Sequence, residues 1–407
     1  MMFSKEELIR ATGAQVLKDC ESSLTFDIST DTRTIKNTDI YLPLKGETFD
    51  GEKFIDKAIE SGAKAYFTTG NEIFPLADFV LKVSDTKEAY LKIAQYYRNK
   101  INPKVIAVTG SSGKTTTKEI LAAVMSAKFK THKTFSNHNN EIGFCQTVLS
   151  MPIDTEVLII EAGMRGLGEI ELISRHADPD FALITNSGSA HVGRLGSLDN
   201  IAIAKCEIAS GLKFGGVFVS KNQEIIKKHL KFNGEKIFYS LDDVEIIEQR
   251  QGYTRFIYKN NEFELNVEGD YNVENSLAAI EIGYKLSMNT EEIKRGLLSY
   301  KPIEKRWEAE QIGKLKFIND SYNANPESMK ASVKTFLELY KKPVVVLGNM
   351  GELGENEHLY HRQVGEYLSN GDFKNVIFLT VGDLAAEIAD VLDIAGFETH
   401  KFSQNQD

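Results

Sequence analysis

The sequence predicts an α/β protein of three domains: a small α/β N-terminal domain over residues 1–83, a central parallel sheet over 84–301, and a C-terminal Rossmann-like domain over 302–407. Three observations carry this. A chain of 407 residues exceeds what one ordinary core encloses. From Lys82 onward, short apolar runs alternate with helix-type segments, the texture of a parallel sheet with crossover helices. At Pro302 the pattern breaks, and it resumes as a second, smaller alternation.

The N-terminal part opens with a polar helix and passes through Asp31-Thr32-Arg33. Residues 39–44 read as a strand, and 53–61 as a helix closed by Gly62. In the centre, 105–109 is a short apolar strand with a helix following from Lys114, and 157–162 and 181–185 repeat the buried-strand pattern. Between residues 236 and 267 the alternating segments IFYS, VEIIEQ, YTRFIYK and EFELNV predict an antiparallel meander, followed by a helix over 272–286. Beyond Pro302, strands are expected at 315–319, 343–347 and 375–381. Helices are expected to open at Asn325-Pro326, near 357–368 and from Leu384, giving a small doubly wound unit.

Composition narrows the function. With 42% apolar and 26% charged residues and only 8 prolines, the chain is a folded protein, neither disordered nor fibrous. A net charge of -10 argues against a nucleic-acid partner held on a basic face. It leaves room for a phosphate ligand, because backbone amides bind phosphate on an acidic protein as well. Cys20, Cys145 and Cys206 have no metal-type spacing, and their odd number suits a reducing compartment. The N-terminus lacks the apolar stretch of a signal peptide, and no run approaches the ~20 residues of a membrane span. A cytoplasmic monomer without membrane association is expected.

The sharpest local signal is Val108-Thr109-Gly110-Ser111-Ser112-Gly113-Lys114-Thr115-Thr116, set between strand and helix. Small residues let successive N–H groups close around phosphate oxygens at the positive end of a helix. Lys114 adds a point charge, and the Thr115 hydroxyl is placed to ligand Mg²⁺. Val108 stands where the full P-loop pattern has its first glycine. A nucleotide site is expected, although the loop alone does not say what the nucleotide is used for.

Three further residues bear on that use. Glu161 ends an apolar strand, where ligands gather in open α/β sheets; it reads as a Mg²⁺ ligand or as a solvated strand-end charge. His191 lies just beyond the next strand, in Thr185-Asn186-Ser-Gly-Ser-Ala-His191. Lys205 sits in a helix of small apolar residues, either snorkelling to the surface or desolvated with a depressed pKa.

The phosphate loop, Glu161-Ala-Gly-Met, Asn186…His191…Gly196-Ser197 and Ala204-Lys205-x-Glu207-Ile occur here in the order used by the Mur ligases, and the chain resembles that family along nearly its whole length. Asp270-Tyr-Asn272-Val-Glu-Asn275 and Lys305-Arg306-Trp-Glu fit the same order. Asp320-Ser-Tyr322-Asn323-Ala-Asn325-Pro326 and Leu347-Gly-Asn-Met350-Gly-Glu352-Leu-Gly354 are similar to the branch that adds a D-alanyl-D-alanine dipeptide.

The resemblance implies an ATP-dependent ligase of bacterial cell-wall (peptidoglycan) synthesis. It would join D-alanyl-D-alanine to UDP-N-acetylmuramoyl-tripeptide through an acyl phosphate. Lys114 and the amides of Gly110, Ser111, Ser112, Gly113, Thr115 and Thr116 would hold the ATP phosphates. Thr115 and Glu161 would ligate one Mg²⁺, with His191 and Lys205, carbamoylated by CO₂, ligating a second. Asn272 and Asn275 match adenine contacts, and Arg306 and Asp320 match nucleotide contacts from the third domain. Asp31, Thr32, Arg33, Lys45, Gly46, Phe49, Asp50 and Gly51 match the region holding the UDP-sugar. Asn139 and Asn140 fall in the segment 137–143 that matches the loop near the reacting ends, Asn186 is grouped with the same substrate, and Tyr322, Asn323 and Asn325 would face the dipeptide. Tyr271 replaces a histidine frequent in the family, which bears on adenine packing. The family continues past the position of Asp407 through a helix and strand into a Lys-Gly-Ser loop, so a truncated third domain is expected. Rival readings are another amino-acid-adding Mur ligase, a folylpolyglutamate synthase-like enzyme, or a regulatory P-loop NTPase that forms no bond.

Overall fold

The computed structural model describes residues 2–21, 23–46 and 48–403. By packing, the chain forms two compact units: Met1–Pro103 with Glu141–Asp154, and Lys104–Asn140 with Thr155–Asp407.

In the first unit a six-stranded sheet runs in the order Phe3–Ser4, Thr25–Ser29, Asp39–Tyr41, Ala65–Thr68, Phe79–Lys82, Gln15–Lys18. Its four inner strands are parallel and both edge strands antiparallel. Ala65, Tyr66, Phe67 and Thr68 are all buried, as a strand covered on both faces requires. The strand expected over 39–44 ends at Tyr41, just ahead of Pro43, which has no N–H for a ladder. The helix expected over 53–61 begins as a 3₁₀ turn, Gly51–Phe54, and continues as Ile55–Glu60, with Gly62 at φ +116°. Helix Thr86–Ile101, capped by Asp85 at its start and left-handed Asn102 at its end, packs on helix Glu141–Leu149.

The second unit is built on a fully parallel six-stranded sheet. Its order is Glu235–Tyr239, Val217–Lys221, Phe181–Ile184, Lys104–Thr109, Val157–Glu161, Thr131–Lys133. The chain leaves Lys104–Thr109 for one side of the sheet and later returns to its other side. That strand is therefore a topological switch point, where open sheets bind ligands.

Two expectations fail here. Segment IFYS is not part of the meander: Glu235–Tyr239 pairs parallel with Val217–Lys221, because helix Glu224–His229 supplies the crossover. The meander has three strands, Val244–Arg250, Tyr253–Tyr258 and Asn261–Leu265. Its inward Phe256, Tyr258, Phe263 and Leu265 join Leu277 and Ile280 of helix Asp270–Lys285 and Ile106 and Val108 of the sheet in one core. Strand Leu315–Asn319 likewise stays outside the last sheet, forming an antiparallel hairpin with Glu308–Ile312 around Gly313 at φ +60°.

The C-terminal parallel sheet holds Val344–Gly348, Ile377–Val381 and Glu398–Phe402. The last of these, ETHKF, is too polar to have announced itself as a strand. Helices Pro326–Leu339, Glu357–Ser369 and Asp383–Ile394 pack on one side, burying Val345, Leu347 and Phe378 against Val364, Leu368, Ile388 and Leu392. Among the described residues no helix is long and apolar enough to cross a membrane.

Candidate active site

Sheet register gathers the loop and its neighbours. Ile184 stands opposite Thr109 and Val108 opposite Glu161, so three parallel strands deliver their ends to one edge. The phosphate loop is braced from the segment after Ile184. The Ser112 N–H donates to Asn186 Oδ1 at 3.0 Å, and the Asn186 amide donates back to Ser112 O at 3.1 Å and Oγ at 2.9 Å. Thr185 Oγ1 donates to Ser112 O at 2.6 Å. The Ser111 hydroxyl donates to Gly188 O at 3.2 Å and accepts the Gly188 N–H at 2.9 Å. Asn186, expected at the substrate, is thus occupied in shaping the loop. Two glycines are required sterically. A Cβ at Gly110 would lie 1.8 Å from Thr185 Oγ1, and one at Gly113 (φ +75°) would lie 2.7 Å from Asn275 Oδ1. Asn275 therefore lies directly against the loop.

Lys114 opens helix Lys114–Ser126 and curls back over the loop, donating to Gly110 O at 2.7 Å. Burial pushes its pKa below the ordinary lysine range, with Glu161 opposing and Arg306 adding to the shift. Behind it, Thr115 Oγ1 and Asn139 Nδ2 both donate to Glu161 Oε1, at 3.2 and 3.1 Å. Glu161 is only 2% exposed, which removes the solvated strand-end reading. Its Oε2 is buried and accepts no hydrogen bond, facing the Lys118 ammonium at 3.5 Å.

A buried carboxylate oxygen without a donor, beside a threonine hydroxyl at a phosphate cradle, fits a hard divalent ion. Among the described residues no three His, Cys, Asp or Glu side chains form a metal cage. An ion here would complete its shell from phosphate oxygens and water, as Mg²⁺ usually does.

Lys205 is 1% exposed, near the end of helix Leu198–Cys206. Snorkelling needs the charged head in water, so that reading is overturned. Burial, then the Lys114 charge, pushes its pKa well below the lysine range, and among the described residues no carboxylate pairs with it. His191 adopts a left-handed backbone, φ +68°, and sets Nδ1 against Glu352 Oε2. Burial lowers the His191 pKa; Glu352 pulls the other way, while Lys114 and Lys205 add to the lowering. Lys114, Glu161, His191, Lys205 and Arg306 thus share one electrostatic neighbourhood.

Further residues surround it. Asn272 is 2% exposed and donates to Glu268 O at 2.7 Å, tying down the start of its own helix. Beside it, Tyr271 meets Trp307 edge-on at 5.9 Å. The Arg306 guanidinium lies 4.1 Å over the Tyr322 ring. Asp320 accepts the Trp307 N–H at 3.2 Å and the Ser332 hydroxyl at 2.6 Å. The Asn325 carboxamide caps helix Pro326–Leu339, accepting the Ser328 N–H at 2.9 Å, which leaves Tyr322 and Asn323 as the exposed pair.

In the first unit, Arg33 forks onto Asp31 at 2.9 and 2.7 Å, holding the Asp31 pKa down to about 2. Lys45 and Asp50 bridge a tight loop in which the Gly46 N–H donates to Phe49 O at 2.7 Å, and a Cβ at Gly51 would lie 2.6 Å from Leu44 O. Phe49 stacks on Phe54 at 5.4 Å and stays half exposed.

Sequence reasoning missed three residues. Lys118 had a signal, one helical turn after Lys114. Glu327, which accepts from Ser189 N and Oγ at 3.1 and 3.0 Å, had none, and Glu352 stood in a family-like stretch without a role, since their partners lie far away in sequence.

Known proteins match this arrangement throughout. Family models match over residues 108–283 (Mur ligase middle domain), 305–407 (Mur ligase, glutamate ligase domain) and 27–128 (Mur ligase family, catalytic domain). The chain is 38% identical to the UDP-N-acetylmuramoyl-tripeptide–D-alanyl-D-alanine ligase of Bacillus subtilis, over 94% of this chain and 85% of that protein. It superposes on the crystal structure of MurF from Acinetobacter baumannii with TM-score 0.90 at 29% identity, covering 100% of this chain and 90% of the other. MurF ligase from Thermotoga maritima, in complex with ADP, gives TM-score 0.81 at 25% identity, covering 94% and 95%. A phosphate cradle with this buried lysine, on this fold and at this identity, leaves one assignment: the chain belongs to the Mur ligase family, in its UDP-N-acetylmuramoyl-tripeptide–D-alanyl-D-alanine ligase branch.

Proposed function

We propose that this chain joins the amine of D-alanyl-D-alanine to the terminal carboxylate of UDP-N-acetylmuramoyl-tripeptide, splitting ATP to ADP and phosphate, in peptidoglycan precursor synthesis. Lys205 carries the reading: a buried amine beside Lys114 has no use in a switch that only hydrolyses nucleotide.

Labour divides among three domains. Residues 1–83 hold the UDP-sugar through Asp31, Thr32, Arg33, Lys45, Gly46, Phe49, Asp50 and Gly51. Residues 84–301 hold ATP, and 302–407 hold the dipeptide and close on ATP. The amides of residues 110–116 and the Lys114 ammonium grip the phosphates. Asn272 and Asn275 bound the adenine side, with Arg306 and Asp320 reaching the nucleotide from the third domain. Thr115 and Glu161 would hold one Mg²⁺, and His191 with carbamoylated Lys205 a second; bound there, the ions supply charge neutralisation on the phosphates. Lys205 suits carbamoylation because only an unprotonated amine adds CO₂, and burial disfavours its protonated form.

The peptide carboxylate cannot be displaced by an amine directly, since oxide would have to leave. Lys114 draws negative charge off the γ-phosphoryl group as a carboxylate oxygen attacks its phosphorus and ADP departs. Asn139 and Asn140 flank the resulting acyl phosphate. The dipeptide amine, oriented by Tyr322 and Asn323, attacks the acyl carbon, loses its proton, and expels phosphate from the tetrahedral intermediate. Arg306 and Asp320 close over the nucleotide and keep water from the acyl phosphate.

We place the reaction in the cytoplasm with the chain acting as a monomer, independent of membrane and nucleic acid; the net charge of -10 suits no polyanion. The test is purified protein with ATP, Mg²⁺ and D-alanyl-D-alanine, with and without UDP-N-acetylmuramoyl-tripeptide. ADP should form only in the complete mixture, and mass spectrometry should find the pentapeptide. ADP release without either peptide substrate, and no longer product, would overturn the reading.

A further inference from the structure

His191 and Glu352 come from different sheets, one following Phe181–Ile184 and the other following Val344–Gly348. They meet because their loops are pinned together at several points. Arg194 Nε and Nη2 each lie 3.1 Å from Glu352 Oε1, and the Gly193 N–H donates to Glu352 O at 3.1 Å. Opposite this contact, Met350 N–H donates to His361 Nε2 at 2.9 Å, fixing the near end of the same loop. Both residues of the pair occupy left-handed backbone that side chains rarely adopt, His191 at φ +68° and Glu352 at φ +61°. Such strain survives only where the surroundings hold it, and it concentrates at working sites.

With Glu352 Oε1 taken by Arg194, Oε2 is left for the imidazole Nδ1. A neutral imidazole carries one proton, and a carboxylate beside Nδ1 selects the tautomer with that proton on Nδ1. The Nε2 lone pair is then free on the opposite side of the ring. We propose that Glu352 is a positioning residue: its carboxylate, pinned by Arg194 and seated against Nδ1 of His191, holds the ring so that Nε2 is left for the side of Lys114 and Lys205. Metal-binding histidines generally have such a carboxylate behind them, and its loss weakens metal affinity about 10–100-fold. The inference rests on the reading of His191 as a metal ligand. Its consequence is that the second ion's site is complete only while the C-terminal sheet's loop is seated on the central sheet.

The test is run on the full chain. Nitrogen-15 histidine NMR, with His191 assigned by its loss in His191→Asn, should find the Nδ1–H tautomer in the native protein. Glu352→Ala should move it to the Nε2–H form favoured in water, and Glu352→Gln, whose amide oxygen still accepts, should retain it. Mn²⁺ binding followed by electron paramagnetic resonance in the presence of ADP should weaken about 10-fold or more in Glu352→Ala. The Mg²⁺ concentration for half-maximal activity should rise in parallel, with KM for the UDP-linked substrate unchanged. If Glu352→Ala does not fold, Glu352→Asp, too short to reach the ring, should show the same losses. An unchanged tautomer on removing the carboxylate overturns the positioning role. A changed tautomer with unchanged Mn²⁺ binding overturns instead the metal role of His191.

Discussion

Lys118 holds its ammonium 3.5 Å from Oε2 of Glu161 with both side chains sealed from solvent, at 0% and 2% exposure. It also donates to Ser136 O at 3.2 Å and lies 3.4 Å from Glu119. Without a divalent ion, this lysine is the charge that makes a buried Glu161 carboxylate tolerable. Breaking such a pair from one side costs about 3–5 kcal/mol, because the partner's charge stays buried. Lys118→Met should therefore lower the stability of the ligand-free enzyme by about that amount, and Mg²⁺ with ADP should restore most of it. Calorimetry of both forms checks this; an equal loss in both would show that Lys118 does not serve Glu161.

Lys114→Ala removes the ammonium that spans the phosphate cradle. ADP formation should fall at least ~100-fold, the scale of losing one preorganised charge at a transferring group. Binding of the UDP-linked peptide, measured by titration calorimetry, should survive. Near-normal ADP release would sink the role given to Lys114.

For Lys205→Ala we expect activity to vanish and to return in part when a short carboxylic acid such as formate or acetate is added at millimolar level. The added acid supplies the oxygens that the carbamate would have carried. Full activity of the variant without rescue would remove the carbamate.

Stability of the C-terminal sheet should depend on pH through His361. Its Nδ1–H donates to Glu357 O at 2.7 Å while Nε2 accepts from Met350, so the structure needs the neutral ring. Burial lowers the folded pKa below the ordinary 6.5. The contribution is therefore complete above pH 6.5 and is lost as the pH falls through the folded value. One buried hydrogen bond is at stake, about 1 kcal/mol. Thermal unfolding of the native chain should lose midpoint more steeply from pH 7 to 5 than that of His361→Gln, whose amide keeps no proton to gain. Parallel slopes would remove the effect.

How much of this the sequence disclosed follows from how local each signal was. The phosphate loop was legible because strand, glycines, lysine and helix are contiguous, and the cap at Asn325 because Pro326 follows it. Glu235–Tyr239 was assigned to the wrong sheet because alternation reports which face is buried, never which strand lies alongside. Leu315–Asn319 failed for the same reason. Lys205 was ambiguous until packing showed no route for its head to water. Glu352 was legible only as part of a family-like stretch, since nothing in Gly-Glu-Leu-Gly says that a histidine from another sheet rests on it.

Gly193 and Gly354 meet where neither has a side chain, and a methyl on Gly193 would fall 2.4 Å from the Gly354 nitrogen. The seam between the central and C-terminal sheets therefore shuts flush only because two hydrogens face each other there. One added carbon would act as a wedge, propping the halves ajar with every chemical group intact. Such a propped form would separate, in a single protein, the capacity to load nucleotide from the capacity to use it.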